Sequence, residues 1–140
     1  MSAAQIFPLD TTEADYVDRQ IRHLSERAQF QTSLERLLQR WQSFVEQIEK
    51  GYADSIYEYT NDLTVRDLLD GIEASAPAGL KERLRTGLKE LDDRFEAATQ
   101  TVDRPVAAGE PPTGFKRWRR VPIKLLDELG EDLRSEGVIR

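Results

Sequence analysis

The sequence predicts an all-α fold, a single-domain helical bundle of about four to six helices. Apolar residues recur at intervals of three and four along most of the chain, which is the spacing of one helix face. The length of 140 residues suits one domain with its own core. Strand-type alternation is confined to a few residues around Trp118 and Val121. We therefore expect residues 1–140 to form one helical domain with two long amphipathic helices.

The first long helix is expected to begin near Thr12. Thr12 followed by Asp15 is a weaker relative of the capping box, in which a side chain near the helix start accepts a backbone N–H. Apolar residues then keep helical spacing from Val17 to Ala28. Residues 1–11, which precede this signal, are expected to be a flexible N-terminus.

A second apolar series runs from Phe30 to Ile48 with the same spacing, but it is out of phase with the first. Two helices could meet here, because Thr32 followed by Glu35 can cap a new helix. No Gly or Pro interrupts residues 13–50. That absence favours one long helix that changes its packing partner.

Residues 52–71 predict two shorter helices. The turn formers Asn61 and Asp62 separate an apolar series on each side. Thr64 followed by Asp67 can cap the second of these helices. This polar stretch is interpreted as a helix–helix junction, with a binding loop as the alternative.

The second long helix follows Pro77, and its apolar residues run from Leu80 to Val102. Residues 103–115 are rich in Pro and Gly, which deny a segment regular structure, and we expect a loop there. Pro122 is then expected to start a short C-terminal helix.

Several classes of function are disfavoured by what the sequence lacks. There is no cysteine, so disulfides and Cys-type zinc sites are excluded. The single histidine, His23, has no second ligand at a metal-binding spacing, and no metal or cofactor is expected. Phosphate-binding Gly-rich loops and nucleophile motifs are also missing, so we expect that the protein is not an enzyme.

The N-terminus has neither a basic segment nor an apolar one, so no signal peptide is expected. No apolar run approaches the roughly 20 residues that a transmembrane helix needs. We therefore expect a cytoplasmic protein that does not enter a membrane.

Acidic residues are concentrated between residues 46 and 73, where eight carboxylates meet only Lys50 and Arg66. A solvated helix face would explain them. The sharper interpretation is a docking surface for a basic protein, in which charges steer the encounter and aromatic residues anchor it. The candidate partner-binding residues are Asp54, Tyr57, Glu58, Asp62, Asp67 and Asp70.

A basic-aromatic patch spans residues 115–124, which hold five bases and no acid. Bases interleaved with aromatic residues are typical of single-stranded nucleic-acid binding. The same residues could instead latch onto the chain's own acidic body or contact a partner protein. The latch is favoured, because the acidic remainder would repel a phosphate backbone. The patch residues are Phe115, Lys116, Arg117, Trp118, Arg119 and Arg120.

These observations favour a non-enzymatic protein-interaction module. With a net charge of −6, it would bind and inhibit a basic protein, as a bacterial immunity protein or antitoxin does. One alternative is a nucleic-acid-associated protein that uses the basic-aromatic patch. Another is a structural homo-oligomer that associates through the out-of-phase face around Phe30 and Leu34. A small-molecule pocket between the helices is a further alternative.

Overall fold

The computed structural model describes residues 6–28, 32–103, 106, 115–124 and 127–135. These residues form a helical bundle with one small antiparallel sheet, which confirms the all-α fold class. In chain order the elements are α1 (Thr11–Ala28), α2 (Leu34–Lys50), α3 (Ile56–Ala74), α4 (Ala78–Ala97), β1 (Thr99–Thr101), α5 (Phe115–Trp118), β2 (Arg120–Pro122) and α6 (Asp127–Ser135).

Helix α1 begins slightly earlier than the sequence predicted. Asp10 and Glu13 form a reciprocal capping box: the Asp10 N–H donates to Glu13 Oε1 at 3.1 Å, and the Glu13 N–H donates to Asp10 Oδ1 at 2.8 Å. Ile6 is fully buried, and Arg83 on α4 donates to its carbonyl at 2.9 Å. Of the segment expected to be flexible, residues 1–11, the part from Ile6 onward thus makes defined contacts, and residues 1–5 lie outside the described residues.

The expectation of one helix over residues 13–50 is also wrong. Ser33 has an extended backbone, with φ −147° and ψ 164°, and its hydroxyl accepts the N–H of Arg36 at 3.2 Å. This N-cap starts α2 afresh without a Gly or Pro. Leu34, from the face proposed for self-association, is buried, whereas Phe30 lies outside the described residues.

Residues 56–74 form one helix rather than two short ones. Ser55 caps its start by accepting the N–H of Glu58 at 3.3 Å. Thr64 does not act as a cap, because its hydroxyl donates to the carbonyl of Thr60 at 2.9 Å inside the helix. The turn preference of Asn61 and Asp62 is overridden by the apolar stripe on both sides of them.

The chain beyond α4 differs from the prediction in three places. Helix α4 ends at Ala97 rather than near Val102, and Thr99–Thr101 pairs with Arg120–Pro122 in antiparallel register. Pro122 lies in β2 and does not start the last helix, which begins at Asp127. Phe115, expected at the end of the loop, is the first residue of α5.

The core lies between α2, α3 and α4. Trp41 and Phe44 on α2 pack against Phe95 on α4, with ring centroids 5.3 and 6.1 Å apart. Tyr52 and Tyr59 extend this aromatic cluster toward α3, with ring centroids 5.4 Å from each other. All five side chains are at most 1% exposed. Burial of such large rings is the main force that holds the three helices together.

Within the described residues, none of the helices combines the length and the apolar character that a membrane crossing requires.

Candidate functional site

The five carboxylates among the six acidic-region candidates separate into two groups in the structure. Asp54, Glu58 and Asp62 lie toward the N-terminal end of α3 and line a cavity between α2 and α3. Asp67 and Asp70 lie further along α3, where they contact α5. The two groups therefore have different chemical surroundings and are considered separately.

The cavity between α2 and α3 has a volume of about 470 Å³. Its lining from α2 includes two arginines, whereas the three carboxylates come from α3 and the segment before it. Aromatic side chains from the core form part of its lining. The cavity residues are Arg36, Gln39, Arg40, Ser43, Phe44, Gln47, Tyr52, Asp54, Glu58 and Asp62.

Tyr52 is held in the cavity wall by backbone contacts on both sides. Gly51 ends α2 with a φ of 122°, a conformation that favours glycine, and its N–H donates to the Gln47 carbonyl at 2.9 Å. The Tyr52 N–H donates to the Lys124 carbonyl at 3.1 Å, which ties it to the segment after β2. The Tyr52 ring also meets the Phe44 ring edge-on, with centroids 5.7 Å apart.

The Tyr52 hydroxyl is buried and has no hydrogen-bond partner among the described residues. The whole residue is 1% exposed. Burial raises the pKa of this phenol well above its usual range, and the negative charge of Asp62 raises it further. Buried hydroxyls are nearly always paired, so this one is an exception that requires an explanation.

Asp62 has the most unusual carboxyl group of the cavity. Burial raises its pKa to about 6, and the neighbouring charges of Glu58 and Asp54 act in the same direction. Arg40 opposes this effect, but its guanidinium stands 3.5 Å from the Asp62 carboxylate and its side chain is half exposed. The cavity therefore stabilises the ionised form of Asp62 poorly.

Tyr57 lies on the outer surface of α3, as the sequence suggested. It is 78% exposed, the largest fraction reported for a large hydrophobic side chain of the described part. Asp54 and Glu58, which are close to Tyr57 in the sequence, are also exposed. We call Asp54, Tyr57 and Glu58 the acidic rim, because these residues are exposed and Asp54 and Glu58 also line the cavity.

Asp67 and Asp70 are engaged by the basic-aromatic patch. Arg117 forms an ion pair with Asp70 and a second contact with Asp67 at 3.5 Å. The indole N–H of Trp118 donates to Asp67 Oδ2 at 2.8 Å. Burial raises the pKa of Asp67, and the bond from Trp118 partly offsets this effect. These two carboxylates are therefore satisfied within the molecule.

The rest of the basic-aromatic patch also contacts the chain itself. Arg120 donates to Thr99 Oγ1 at 2.8 Å and to the Glu96 carbonyl at 3.0 Å. Arg119 donates to the Asp103 carbonyl at 2.7 Å, while Lys116 is exposed. Arg117 and Trp118 contact acidic side chains, as the latch interpretation expects, whereas these contacts of Arg119 and Arg120 are with backbone carbonyls and a threonine hydroxyl. Trp118 is 8% exposed, so its ring is not accessible for stacking on a nucleic-acid base.

A partly buried ionic network next to the latch was not recognised in the sequence. Arg66 donates to Asp92 through two nitrogens, at 3.0 and 2.8 Å, and to Asp70 at 2.8 Å. The Trp41 indole N–H donates to the same Asp92 at 3.2 Å. One signal was available, since Arg66 falls three residues from both Leu63 and Leu69 on the buried stripe. The sequence contained no signal that Asp92, far along the chain, is the partner of Arg66.

No three His, Asp or Glu side chains of the described residues come together as potential ligands of a metal ion. His23 is exposed on α1.

No protein-family model, no curated protein and no solved structure matches the chain. A functional proposal therefore depends on the geometry of the cavity and of the acidic rim.

Proposed function

We propose that the chain is a non-enzymatic protein-interaction module that binds a basic protein through the acidic rim. The exposure of Tyr57 next to Asp54 and Glu58 is the observation that carries this proposal. An exposed tyrosine offers a large contact area at low conformational cost, and carboxylates around it attract a cationic surface. The rest of the acidic region lacks this combination.

The carboxylates of the rim are available to a partner. Among the described residues, neither Asp54 nor Glu58 forms an ion pair with a Lys or Arg side chain. Asp67 and Asp70, by contrast, are neutralised by Arg117 and Arg66. We therefore restrict the proposed docking surface to the N-terminal half of α3 and leave Asp67 and Asp70 out of it.

The class of partner follows from charge. A chain with a net charge of −6 approaches a basic surface faster than a neutral one would and competes there with nucleic acid. That behaviour suits an inhibitor of a basic nuclease, in the manner of a bacterial immunity protein or antitoxin. The nucleic-acid alternative would need an accessible Trp118, and this side chain is buried.

The proposal is tested by affinity capture from a host lysate with matched variants. The rim variant Asp54→Asn/Glu58→Gln removes two charges at the proposed surface. The control variant Glu82→Gln/Asp93→Asn removes two charges from exposed positions on α4. We expect the wild-type chain and the control to retain one basic protein in stoichiometric amount, and the rim variant to lose it.

Raising the salt concentration should weaken the capture, because the rim acts through exposed charges. Equal retention of the basic protein by the rim variant and the control would contradict the proposal. So would an eluate that contains nuclease-sensitive nucleic acid without a stoichiometric protein.

A further inference from the structure

The cavity behind the acidic rim contains a polar group that the fold itself leaves unsatisfied. Tyr52 lines the cavity, and its hydroxyl is buried and has no hydrogen-bond partner among the described residues. Its neighbours Phe44 and Tyr59 contact the ring edge-on, and the Tyr59 hydroxyl donates to the Arg120 carbonyl instead. A ligand that reaches this oxygen from the cavity would supply the missing hydrogen bond.

The charges around the cavity are not balanced. The α2 side supplies two cations, Arg36 and Arg40, whereas Asp54, Glu58 and Asp62 supply three anions. Arg40 reaches Asp62 at only 3.5 Å from a half-exposed side chain. One further positive charge would neutralise the set, and an anion would meet an excess of carboxylates.

We propose that the cavity between α2 and α3 binds one organic cation, a primary ammonium or a guanidinium group, through the Tyr52 hydroxyl and the Asp62 carboxylate. This inference rests on the proposed function and deepens it, because such a group ends the side chain of Lys or Arg in a basic partner. A free polyamine or a guanidino compound carries the same chemistry and is the other source of the cation.

The chemistry of the two residues suits this group. A phenolic oxygen can accept an N–H, and a carboxylate accepts charge-assisted hydrogen bonds that are stronger than neutral ones. The rings of Phe44 and Tyr52 provide apolar surface for the methylene stem of the ligand. The volume of about 470 Å³ lies in the range of small-ligand sites, so a side chain or a short diamine fits.

The direct test uses two small probes, agmatine for the guanidinium group and 1,5-diaminopentane for the ammonium group. Each is titrated into the ¹⁵N-labelled full chain while amide shifts are followed by NMR. We expect saturable shifts at Tyr52 and Asp62 for at least one probe. The pKa of Asp62, followed through its ¹³C carboxyl signal, should fall from about 6 when the probe is bound, because a nearby cation stabilises the carboxylate.

Two conservative variants identify the groups that bind. Tyr52→Phe removes the hydroxyl and Asp62→Asn removes the negative charge, each with little change in side-chain shape, and each should weaken probe binding by about tenfold. The control Asp93→Asn removes one carboxylate charge at an exposed position outside the cavity and the acidic rim. This control should stay within about twofold of the wild type.

The same variants in the lysate capture separate the two sources of the cation. Loss of the basic protein by Tyr52→Phe and Asp62→Asn supports a partner side chain in the cavity, even when the free probes bind too weakly to detect. Probe binding without any captured protein supports a free small cation and overturns the proposed function alone. Normal capture by these variants, together with no response to either probe, overturns the cation site and leaves the proposed function intact.

Discussion

At the scale of single residues, Asp62 shows how the cavity changes an ordinary carboxylate. Its pKa is about 6 in the folded chain, against a reference value of 3.8. Between these two pH values the folded state binds more protons than the unfolded state, so Asp62 makes the free energy of unfolding fall as pH rises. Above pH 6 the full effect is present, and it corresponds to roughly 3 kcal/mol of destabilisation.

Replacement of Asp62 by Asn should therefore stabilise the free protein at neutral pH. Asn resembles the protonated acid, and the lost contact with the half-exposed Arg40 is worth little. We expect the free energy of unfolding, measured with urea, to be higher than that of the wild type by about 1–3 kcal/mol at pH 7. At pH 4 the difference should be near zero. The control Asp93→Asn should change neither value by more than about 0.5 kcal/mol.

A gain of equal size at both pH values would contradict this account, because it would mean that the charge of Asp62 is not the cause. The prediction also bears on function, since a residue that is kept at a cost to stability is a candidate for binding. Tyr52, with its unpaired hydroxyl, belongs to the same class.

At the scale of elements, the segment from α5 to β2 and the residues just after it contact α3 and Tyr52, and so hold part of the cavity lining in place. Trp118 and Arg117 fix the segment to α3, while the Tyr59 hydroxyl donates to the Arg120 carbonyl at 2.6 Å. The Lys124 carbonyl then accepts the Tyr52 N–H. The position of Tyr52 thus depends on residues far away in the sequence, which links the latch to the proposed site.

Loss of the Trp118 indole N–H should weaken this segment. In Trp118→Phe the ring packing is partly kept. Asp67, whose ionised form is already disfavoured by burial, loses the hydrogen bond at 2.8 Å that the indole N–H donates. We expect the free energy of unfolding, measured with urea, to fall by about 1–3 kcal/mol. The exposed neighbour Lys116→Ala serves as the control and should stay within about 0.5 kcal/mol of the wild type. A Trp118→Phe variant as stable as the wild type would show that the latch does not hold the segment.

The sequence predicted elements best where local periodicity was strong. Helices α2 and α4 follow directly from their apolar spacing. The break before α2 was missed because a Ser33 cap, rather than Gly or Pro, makes it. Strand β1 was missed because it is polar, Thr-Gln-Thr, and exists through pairing with β2 across a long connection.

The candidate site was predictable only in part, because it too depends on contacts between residues that are far apart in the sequence. The exposed Tyr57 and the carboxylates of α3 could be recognised from spacing and composition. The division of those carboxylates into two groups depends on Arg117 and Trp118, about 50 residues away, and periodicity carries no such information. The unpaired state of the Tyr52 hydroxyl likewise emerges only when α2, α3 and the segment after β2 are packed together.

At the scale of the whole molecule, the Arg66 network connects four helices. Arg66 on α3 is 5% exposed and bonds to Asp92 on α4, which also accepts the indole N–H of Trp41 on α2. Asp70, the other partner of Arg66, is in turn paired with Arg117 on α5. Burial lowers the pKa of Arg66, but the bonds from Asp92 and Asp70 more than offset this, so the guanidinium stays charged.

Removal of one partner from this network should be far more damaging than removal of an exposed charge. In Asp92→Ala the buried guanidinium of Arg66 loses two hydrogen bonds and a counter-charge, and Trp41 loses its acceptor. We expect the free energy of unfolding to fall by about 3–5 kcal/mol. In the adjacent Asp93→Ala only the surface pair with Lys89 is lost, and the change should be at most about 0.5 kcal/mol.

Urea unfolding followed by Trp fluorescence and by circular dichroism measures both variants. If the network joins the helices into one cooperative unit, the two signals should remain coincident in Asp93→Ala and shift together to lower urea in Asp92→Ala. Equal midpoints for the two variants would mean that Arg66 finds enough compensation in Asp70 alone. In that case the packing of the aromatic core, rather than the ionic network, would be what sets the relative positions of α2, α3 and α4.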